Sequence, residues 1–275
     1  MSTNSINTNY TAQIALQTLN KTLTDLNSTQ NQISTGRAVN GPGDNASAWS
    51  IAQQQRGVAT QLDSVTASLQ RAQSTLDVTV SAGQTVSDLL NQIKSKALAG
   101  ADTGLSTTDR ASLASDVSSL VQQIQRVVTD ANFNGASLVN TAALPLATLT
   151  DANASVFTIQ PNSLTLAGPN VLLTAGSTFA TATQANALLS LVNSSITNVN
   201  ATVANFGADA SAITSHLNFV SKFQDTLTQN IGNLVDADIA KESAALTALQ
   251  VKQQLGVQTI GIANSTRTTL LGLFR

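Results

Sequence analysis

Apolar residues recur at alternating steps of four and three along residues 58–97, VATQLDSVTASLQRAQSTLDVTVSAGQTVSDLLNQIKSKA. This spacing holds one stripe on one face of an α-helix, and at 1.5 Å per residue the stretch predicts a rod of roughly 60 Å. Only Thr79 and Gly83 interrupt the apolar character of the stripe. Its positions are Val58, Leu62, Val65, Leu69, Ala72, Leu76, Thr79, Gly83, Val86, Leu90, Ile93 and Ala97.

Two further stripes with the same spacing follow along the chain. One runs from Leu113 to Val127, and a longer one runs from Leu189 to Leu234 with Gln224 as its polar exception. Such sustained spacing predicts a mainly α fold in which long antiparallel rods form a coiled-coil-like bundle, rather than a compact catalytic domain. The central rods can cover one another's stripes within a single chain.

The two ends of the chain carry shorter and looser apolar stripes. Stripes of this size bury too little surface to offset the conformational entropy lost when an isolated segment becomes ordered. We therefore expect both ends to be disordered in the monomer and to pair as helices in a polymer. The predicted polymer-interface residues are Leu16, Leu19, Leu23, Leu26, Ile33, Leu246, Leu249, Leu255, Ile260, Leu270, Leu271 and Phe274.

A run of turn-forming residues, GRAVNGPGD, separates the first predicted helix from the first rod at positions 36–44. Gly36 is suited to end a helix, and Pro42 with Gly43 prevents its continuation. Either Asp44 or Asn45 can cap the next helix. We predict an inter-domain joint formed by Gly36, Pro42, Gly43 and Asp44.

Residues 135–180 differ from the rods, because they contain three of the four prolines of the chain. β-favouring runs at 155–159 and 171–174, with turn signals at 134–135 and 167–169, predict hairpins and loops. Between two antiparallel rods, we expect this segment at the tip of the bundle. The predicted domains are a terminal coiled-coil domain (1–42 and 236–275), a helical rod domain (43–134 and 181–235) and its hairpin and loop region (135–180).

The composition excludes several classes of function. Only 10% of the residues are charged, against about 25% in an ordinary soluble domain, and the formal net charge is -2 with no Cys. These values oppose electrostatic binding of nucleic acid or an anionic membrane and exclude disulfides and thiolate sites. The first twenty residues lack the features of a signal peptide, and no window reaches the length of a membrane span. We expect no cofactor, no metal, no nucleic-acid partner and no membrane partner.

Residues that could carry chemistry are few. His216 has Ser215 beside it, but neighbours on a helix point in different directions, so we interpret His216 as flanking a packed face. Asp236, Asp238 and Glu242 are better suited to the first turn of a helix than to a cation site. The motifs HExxH, CxxC, GxGxxG and GxxxxGK[ST] do not occur. We predict no catalytic residue and a protein that is not an enzyme.

Three stretches resemble bacterial flagellin, the subunit of the flagellar filament. Residues 5–52, from SINTNYTAQ to GDNASAWSIA, are similar to the family's leading signature, in which a Leu-periodic helix precedes a turn of the type found here as ISTGR. NFNGASL at 132–138 is similar to the family's hairpin entry. Residues 236–275, from DADIAKESAAL to TLLGLFR, resemble its closing helix. The length is similar to that of alphaproteobacterial members without large outer domains.

The resemblance implies a structural subunit that self-polymerises into an extracellular filament for swimming motility, after export without a cleaved signal peptide. It also implies contact with the flagellar cap, the hook–filament junction proteins and an export chaperone. The alternatives are a hook–filament junction protein and a secreted coiled-coil adhesin or toxin. Gln92 and Lys96 stand where the family's innate-receptor epitope has Arg and Leu, which counts against recognition by the Toll-like flagellin receptor. Exposed Ser and Thr residues between 155 and 183 are candidates for O-linked sugars.

Overall fold

A computed structural model of the chain describes residues 8–272, with side chains described for residues 8–265. The mainly α fold with a small hairpin is confirmed. The elements are α1 (Tyr10–Thr35), α2 (Ala46–Gly100), α3 (Thr107–Asp130), β1 (Leu146–Leu149), β2 (Val156–Ile159), α4 (Ala182–Val235) and α5 (Ile239–Gly272). They form two compact units, here named the rod unit (Val58–Asp225) and the terminal unit (the described residues up to Gly57 and from Thr226).

In the rod unit, the stripe predicted on α2 is the buried face of that helix. Every stripe position from Leu62 to Ala97 is buried, and Val58 is half-buried. The two interruptions have physical reasons. The Thr79 hydroxyl donates to the carbonyl of Thr75 at 2.8 Å, so it needs no partner outside its own helix. A Cβ on Gly83 would clash with Val203 Cγ2, so the glycine permits close approach of α4.

Helices α2 and α4 run antiparallel within the rod unit. The Ser87 hydroxyl donates to the Asn200 side chain at 2.8 Å, whereas Gln73, earlier in α2, accepts from Thr214, later in α4, at 3.1 Å. Along α4, predicted stripe positions such as Val192, Phe206 and Ile213 are fully buried. Leu189, Ile196, Val203, Leu217 and other predicted positions are half-buried, because the buried face also includes Leu188, Ser195 and Thr202.

Helix α3 packs beside α2 with its face rotated slightly from the predicted stripe. Val117, Leu120 and Ile124 are buried as predicted, but Leu113 and Val127 are half-buried. Ala114, Val121 and Val128 complete the buried face. Across the two helices, Lys96 Nζ and Asp116 Oδ2 form an ion pair at 2.7 Å, and Gln92 is exposed.

The turn between α2 and α3 is closed by Arg110, which is 8% exposed. Its guanidinium donates to the Gly100 carbonyl at 3.0 Å and to the Asp102 carbonyl at 2.7 Å. Gly100 is the last residue of α2, so the positive group also lies at the negative end of that helix dipole. No motif or periodicity in the sequence indicates this role of Arg110.

The segment between α3 and α4 lies along the helices, so its predicted position at the tip is wrong. In β1, Thr148 is 1% exposed and its hydroxyl lies 3.2 Å from that of Ser68 on α2. Further along, the Leu172 amide donates to Ser195 on α4 at 3.0 Å. The physical reason is burial: the exposed fraction is 1% or less for Ile159, Leu164, Val171 and Leu173. These side chains cover apolar surface that the three helices leave open.

The predicted hairpin and turns in this segment are largely present. β1 and β2 pair antiparallel with Leu146 opposite Ile159. Asn134 and Gly135 have φ angles of 51° and 81°, as a tight turn between Phe133 and Ala136 requires. Residues 171–174 do not form a strand; Val171 makes only an isolated bridge with Leu166.

In the terminal unit, α1 and α5 pair antiparallel, and the segment after α1 packs on the end of α4. A small core forms from Val39, Ala52 and Val235, with Trp49 and Leu234 packed against it. The division between the units falls at Gly57/Val58 and Asp225/Thr226, so the first part of α2 and the last part of α4 belong to the terminal unit. No helix within residues 8–272 combines the length and apolarity needed to cross a membrane.

Candidate functional site: the paired terminal helices

The pairing of α1 with α5 joins residues from opposite ends of the sequence. The Asn9 side chain accepts from the Ala12 amide at 3.1 Å and so caps α1. The same side chain donates to the Ala263 carbonyl of α5 at 3.0 Å. Farther along the pair, a Cβ on Gly256 would lie 3.1 Å from Leu19 Cδ1, so the helices approach closely where α5 has a glycine.

Small side chains make up much of the buried face of α1. Its buried residues are Ala15, Thr22, Leu26 and Thr29. The Thr22 hydroxyl donates to the Thr18 carbonyl at 2.9 Å, so its burial leaves no unsatisfied donor. A face of this kind allows close helix contact but removes little apolar surface from water.

The predicted polymer-interface residues differ in how far the α1–α5 pair buries them. Leu26 is buried, and Leu19, Leu23, Ile33, Leu246, Leu249 and Ile260 are half-buried. In contrast, Leu16 is 51% exposed and Leu255 is 55% exposed. Leu270 and Leu271 lie outside the residues with described side chains, and Phe274 lies outside the described residues altogether. Pairing within one chain thus leaves part of the apolar surface uncovered.

The exposed apolar surface extends beyond the predicted polymer-interface residues. On α5, Val251, Leu255 and Ile262 are at least half exposed and are spaced by four and then seven residues, so they share one helix face. Val257 is also exposed on α5, and Tyr10 and Ile14 are exposed near the start of α1. The spacing of these apolar residues in the sequence could have indicated the exposed face of α5. Glycines and glutamines between the apolar residues obscured that spacing.

The residues of the predicted joint lie within the terminal unit, where they form the turn between α1 and α2. Gly36 ends α1 in the left-handed conformation, with φ 69° and ψ 14°. The Asp44 carboxylate accepts from the Asn40 amide at 2.8 Å and from the Gly41 amide at 3.1 Å. Pro42 and Gly43 are exposed in the turn that this carboxylate holds. Asn45 is the cap of α2, since its side chain accepts from the Ala48 amide at 3.0 Å.

Backbone bonds tie this segment to the connection between α4 and α5. The amides of Ala38 and Val39 both donate to the Val235 carbonyl, at 2.8 and 3.2 Å. The Ala237 amide donates to the Gly36 carbonyl at 2.9 Å. The chain therefore leaves α1 and enters α5 at one place, which fixes the starting point of the α1–α5 pair.

The acidic residues near this connection serve a structural role. Asp238 caps α5, because its carboxylate accepts from the amides of Ala240 and Lys241 at 3.0 and 3.1 Å. Glu242 lies in the first turn of the same helix. Within the described part of the chain, no group of three His, Cys, Asp or Glu side chains is placed to hold a metal ion.

In the rod unit, His216 is half-buried beside the hairpin, with Nε2 2.6 Å from the Thr150 carbonyl oxygen. Next to it, the Ser155 hydroxyl donates to Asp151 at 2.7 Å and lowers the pKa of that carboxyl. Burial raises the pKa of Asp209 on α4. The His216–Thr150 contact holds the hairpin turn on α4, the Ser155–Asp151 bond lies within that turn, and neither pairs a base with a nucleophile.

Comparison with known proteins decides the family. The model of the bacterial flagellin N-terminal helical region matches residues 6–143, and that of the C-terminal helical region matches residues 189–274. The chain belongs to the bacterial flagellin family. It is 44% identical to flagellin FljO of Caulobacter vibrioides over 275 residues that span both proteins. It is 37% identical to a flagellin of Brucella melitensis, with 98% of this chain and 99% of that protein aligned.

A solved structure of a flagellar hook-associated protein from Vibrio parahaemolyticus has a similar fold. Its TM-score is 0.59 at 12% sequence identity, and the match covers 70% of this chain and 100% of that one. The predicted resemblance to short alphaproteobacterial flagellins is confirmed by the full-length alignments. Flagellins are structural proteins, so the prediction that the chain is not an enzyme is also confirmed.

Proposed function

We propose that this flagellin is a structural subunit that self-polymerises into the extracellular flagellar filament and so serves swimming motility. The observation that carries the proposal is the apolar surface left exposed on α1 and α5 after they pair. An exposed apolar face on paired helices is stabilised when another copy covers it. Full-length similarity to other flagellins supports this role over that of a secreted adhesin or toxin.

In this proposal, the paired terminal helices form the inner core of the filament. The exposed residues Leu16, Val251, Leu255 and Ile262 contact neighbouring copies there, together with the C-terminal Leu270, Leu271 and Phe274. The predicted disorder of both ends in the monomer follows from the modest apolar area that the α1–α5 contact buries. The ends become ordered when neighbouring copies add their own surface.

The remaining partners are part of the same proposal. A filament subunit of this family is exported without a cleaved signal peptide, is bound by an export chaperone before transit and is added beneath the flagellar cap. Its first copies contact the hook–filament junction proteins. Replacing the junction protein with this chain in cells would distinguish a filament subunit from a junction protein. A junction protein forms a short ring, whereas a filament subunit forms a long filament.

Removal of either end tests the assembly role. Deleting residues 1–30 or 246–275 should abolish elongation when purified chain is added to short filament fragments, because each deletion removes one partner of the α1–α5 pair. Negative-stain microscopy measures filament length, and circular dichroism checks that the rod unit stays helical. Unchanged elongation by either truncated chain would contradict the proposal.

A further inference from the structure

The sequence Asn-Gly occurs twice in the chain, at 40–41 and at 134–135. In such a sequence the backbone nitrogen of the glycine can attack the side-chain amide carbon of the asparagine, because glycine has no Cβ to block the approach. Asn40 and Asn134 are both exposed to water. The two sites therefore differ mainly in the hydrogen bonds that hold the reacting groups.

At the first site, hydrogen bonds hold both the attacking and the attacked group. The Gly41 amide, which would supply the attacking nitrogen, donates to the Asp44 carboxylate at 3.1 Å. The same carboxylate accepts from the Asn40 amide at 2.8 Å, and Asn40 Nδ2 donates to the Arg37 carbonyl at 3.2 Å. Two of these three bonds have a charged acceptor, which makes them about twice as strong as neutral bonds. The structure therefore protects Asn40 from attack.

The second site is held more weakly. Its turn is closed by an isolated bridge in which Phe133 and Ala136 exchange backbone bonds of 2.8 and 2.9 Å. Within residues 8–265, no hydrogen bond involves the Asn134 side chain or the Gly135 amide. The turn must open before the backbone of Asn134 can rotate toward the attacking nitrogen. Breaking two neutral bonds lowers the population of the open turn by only about 10- to 100-fold.

An unpaired cation lies beside the second site. Arg71 of α2 and Asn134 line the same cavity, which has a volume of about 170 Å³ and also includes Phe133 and Thr148. Arg71 is exposed, and among the described residues its guanidinium has no hydrogen-bond or ion-pair partner. A carboxylate at position 134 would thus share a small cavity with an available guanidinium, and such pairs form charge-assisted hydrogen bonds.

We propose that Asn134 deamidates spontaneously and that the carboxylate it yields pairs with Arg71. In the first step, the Gly135 nitrogen forms a bond to Asn134 Cγ and the Cγ–Nδ2 bond breaks. The Nδ2 group leaves as ammonia, and the proton lost from the Gly135 nitrogen completes it. In the second step, water adds its hydroxyl to one carbonyl carbon of the cyclic imide and returns its other hydrogen to the nitrogen. The products are aspartate and isoaspartate, each with one new negative charge.

The first test traps the cyclic imide in the full-length chain. Hydroxylamine cleaves a chain at such an imide, so reaction at Asn134 gives fragments 1–134 and 135–275, and reaction at Asn40 gives 1–40 and 41–275. In the folded chain, cleavage at Asn134 should be at least about tenfold faster, because fewer and weaker bonds oppose it. In urea, which removes the folded contacts, the two rates should converge. Gel electrophoresis with mass spectrometry measures the fragments.

Two variants serve as matched controls for the fragment test. Asn134→Gln lengthens the side chain and should remove the cleavage at 134. Asp44→Ala frees the Gly41 amide and should raise cleavage at Asn40 in the folded chain by about tenfold or more. Circular dichroism checks that the helices persist. Deamidation of Asn134 is overturned if the folded wild type is cleaved equally fast at Asn40, or if it resists cleavage at Asn134 where the chain in urea is cleaved.

The second test concerns the pairing with Arg71. Asn134→Asp reproduces the direct product of deamidation. Arg71→Gln should lower the melting temperature more in the Asn134→Asp chain than in the wild type, and the excess should shrink at high salt. Equal lowering in both chains would overturn the pairing. Neither test uses filament growth, so failure of the proposed filament role would leave this inference standing, and failure of this inference would leave the filament role standing.

Discussion

At the scale of single residues, two glycines inside helices have opposite expected effects. Gly83→Ala should lower the free energy of unfolding by about 1–2 kcal/mol, because the new methyl group meets the stiff Val203 side chain. Gly207→Ala should raise it by about 0.5–1 kcal/mol, because nothing lies within 4 Å of the added Cβ and alanine favours the helix. Urea unfolding of both variants measures the difference, and equal shifts would contradict the close α2–α4 packing.

Asp151 is expected to make the hairpin sensitive to acid. Its carboxylate accepts from Ser155 Oγ and from the amides of Asn153 and Ser155. Since these bonds lower its pKa in the folded state, their contribution to stability is present above the unfolded pKa. That contribution is lost as the pH falls through the lower folded pKa.

The matched variant for this prediction is Asp151→Asn, which keeps the shape but does not titrate. The melting temperature of the wild type should exceed that of the variant near neutral pH, and the gap should narrow as the solution is acidified. Scanning calorimetry from neutral to strongly acidic pH measures the gap. A gap that stays constant over the whole range would show that the charge of Asp151 does not stabilise the turn.

At the scale of elements, the α2–α3 connection depends on Arg110. Arg110→Ala removes two hydrogen bonds from a charged donor and leaves the Gly100 and Asp102 carbonyls without it. The expected loss is about 2–4 kcal/mol of unfolding free energy. Lys94→Ala, at an exposed position of α2, is the control and should change stability little. Hydrogen exchange at residues 98–110 should accelerate in the arginine variant, and unchanged protection there would refute the role.

The helices could be predicted from the sequence, whereas the rotation of their faces and the path of the middle segment could not. Spacing by three and four residues fixes that a helix forms and roughly which side is apolar. The spacing does not show how many neighbouring elements contact a helix. The burial of Ala114 and Val128 on α3 is therefore evident only from the packing. Residues 171–174 favour a strand by composition, but tertiary burial of Val171 and Leu173 requires no strand partner.

The candidate site was predictable in part for a similar reason. Leucines at helical spacing marked both ends as interfaces. The division into surface covered by the α1–α5 pair and surface left for other copies depends on the antiparallel register. That register is fixed by contacts such as Asn9 with Ala263 and Leu19 with Gly256, and no local pattern encodes them.

At the scale of the whole molecule, the low charge content favours repeated contact between identical copies. Each added charge is repeated on every subunit, and like charges on neighbouring copies repel. Lysines at Gln13, Gln30 and Gln253 should therefore shorten filaments grown from seeds, most of all at low salt. Lysines at Gln70, Gln84 and Gln122, which are exposed in the rod unit, provide an equal charge change as the control.

Filament length by electron microscopy, at low and at physiological salt, measures this effect. Normal growth of the terminal variant would show that a neutral surface at the ends is dispensable. Equal shortening by both variants would show that total charge matters rather than its place in the chain.

The contact between Asn9 and Ala263 spans 254 positions of the sequence. Contacts of such high contact order form late, because a long loop must close before they return any free energy. A ribosome that has not yet reached Ala263 has not supplied the partner of Asn9. The α1–α5 pair is therefore sensitive to premature termination: a chain that stops before Ala263 lacks this contact and cannot complete the helix pair in a growing polymer.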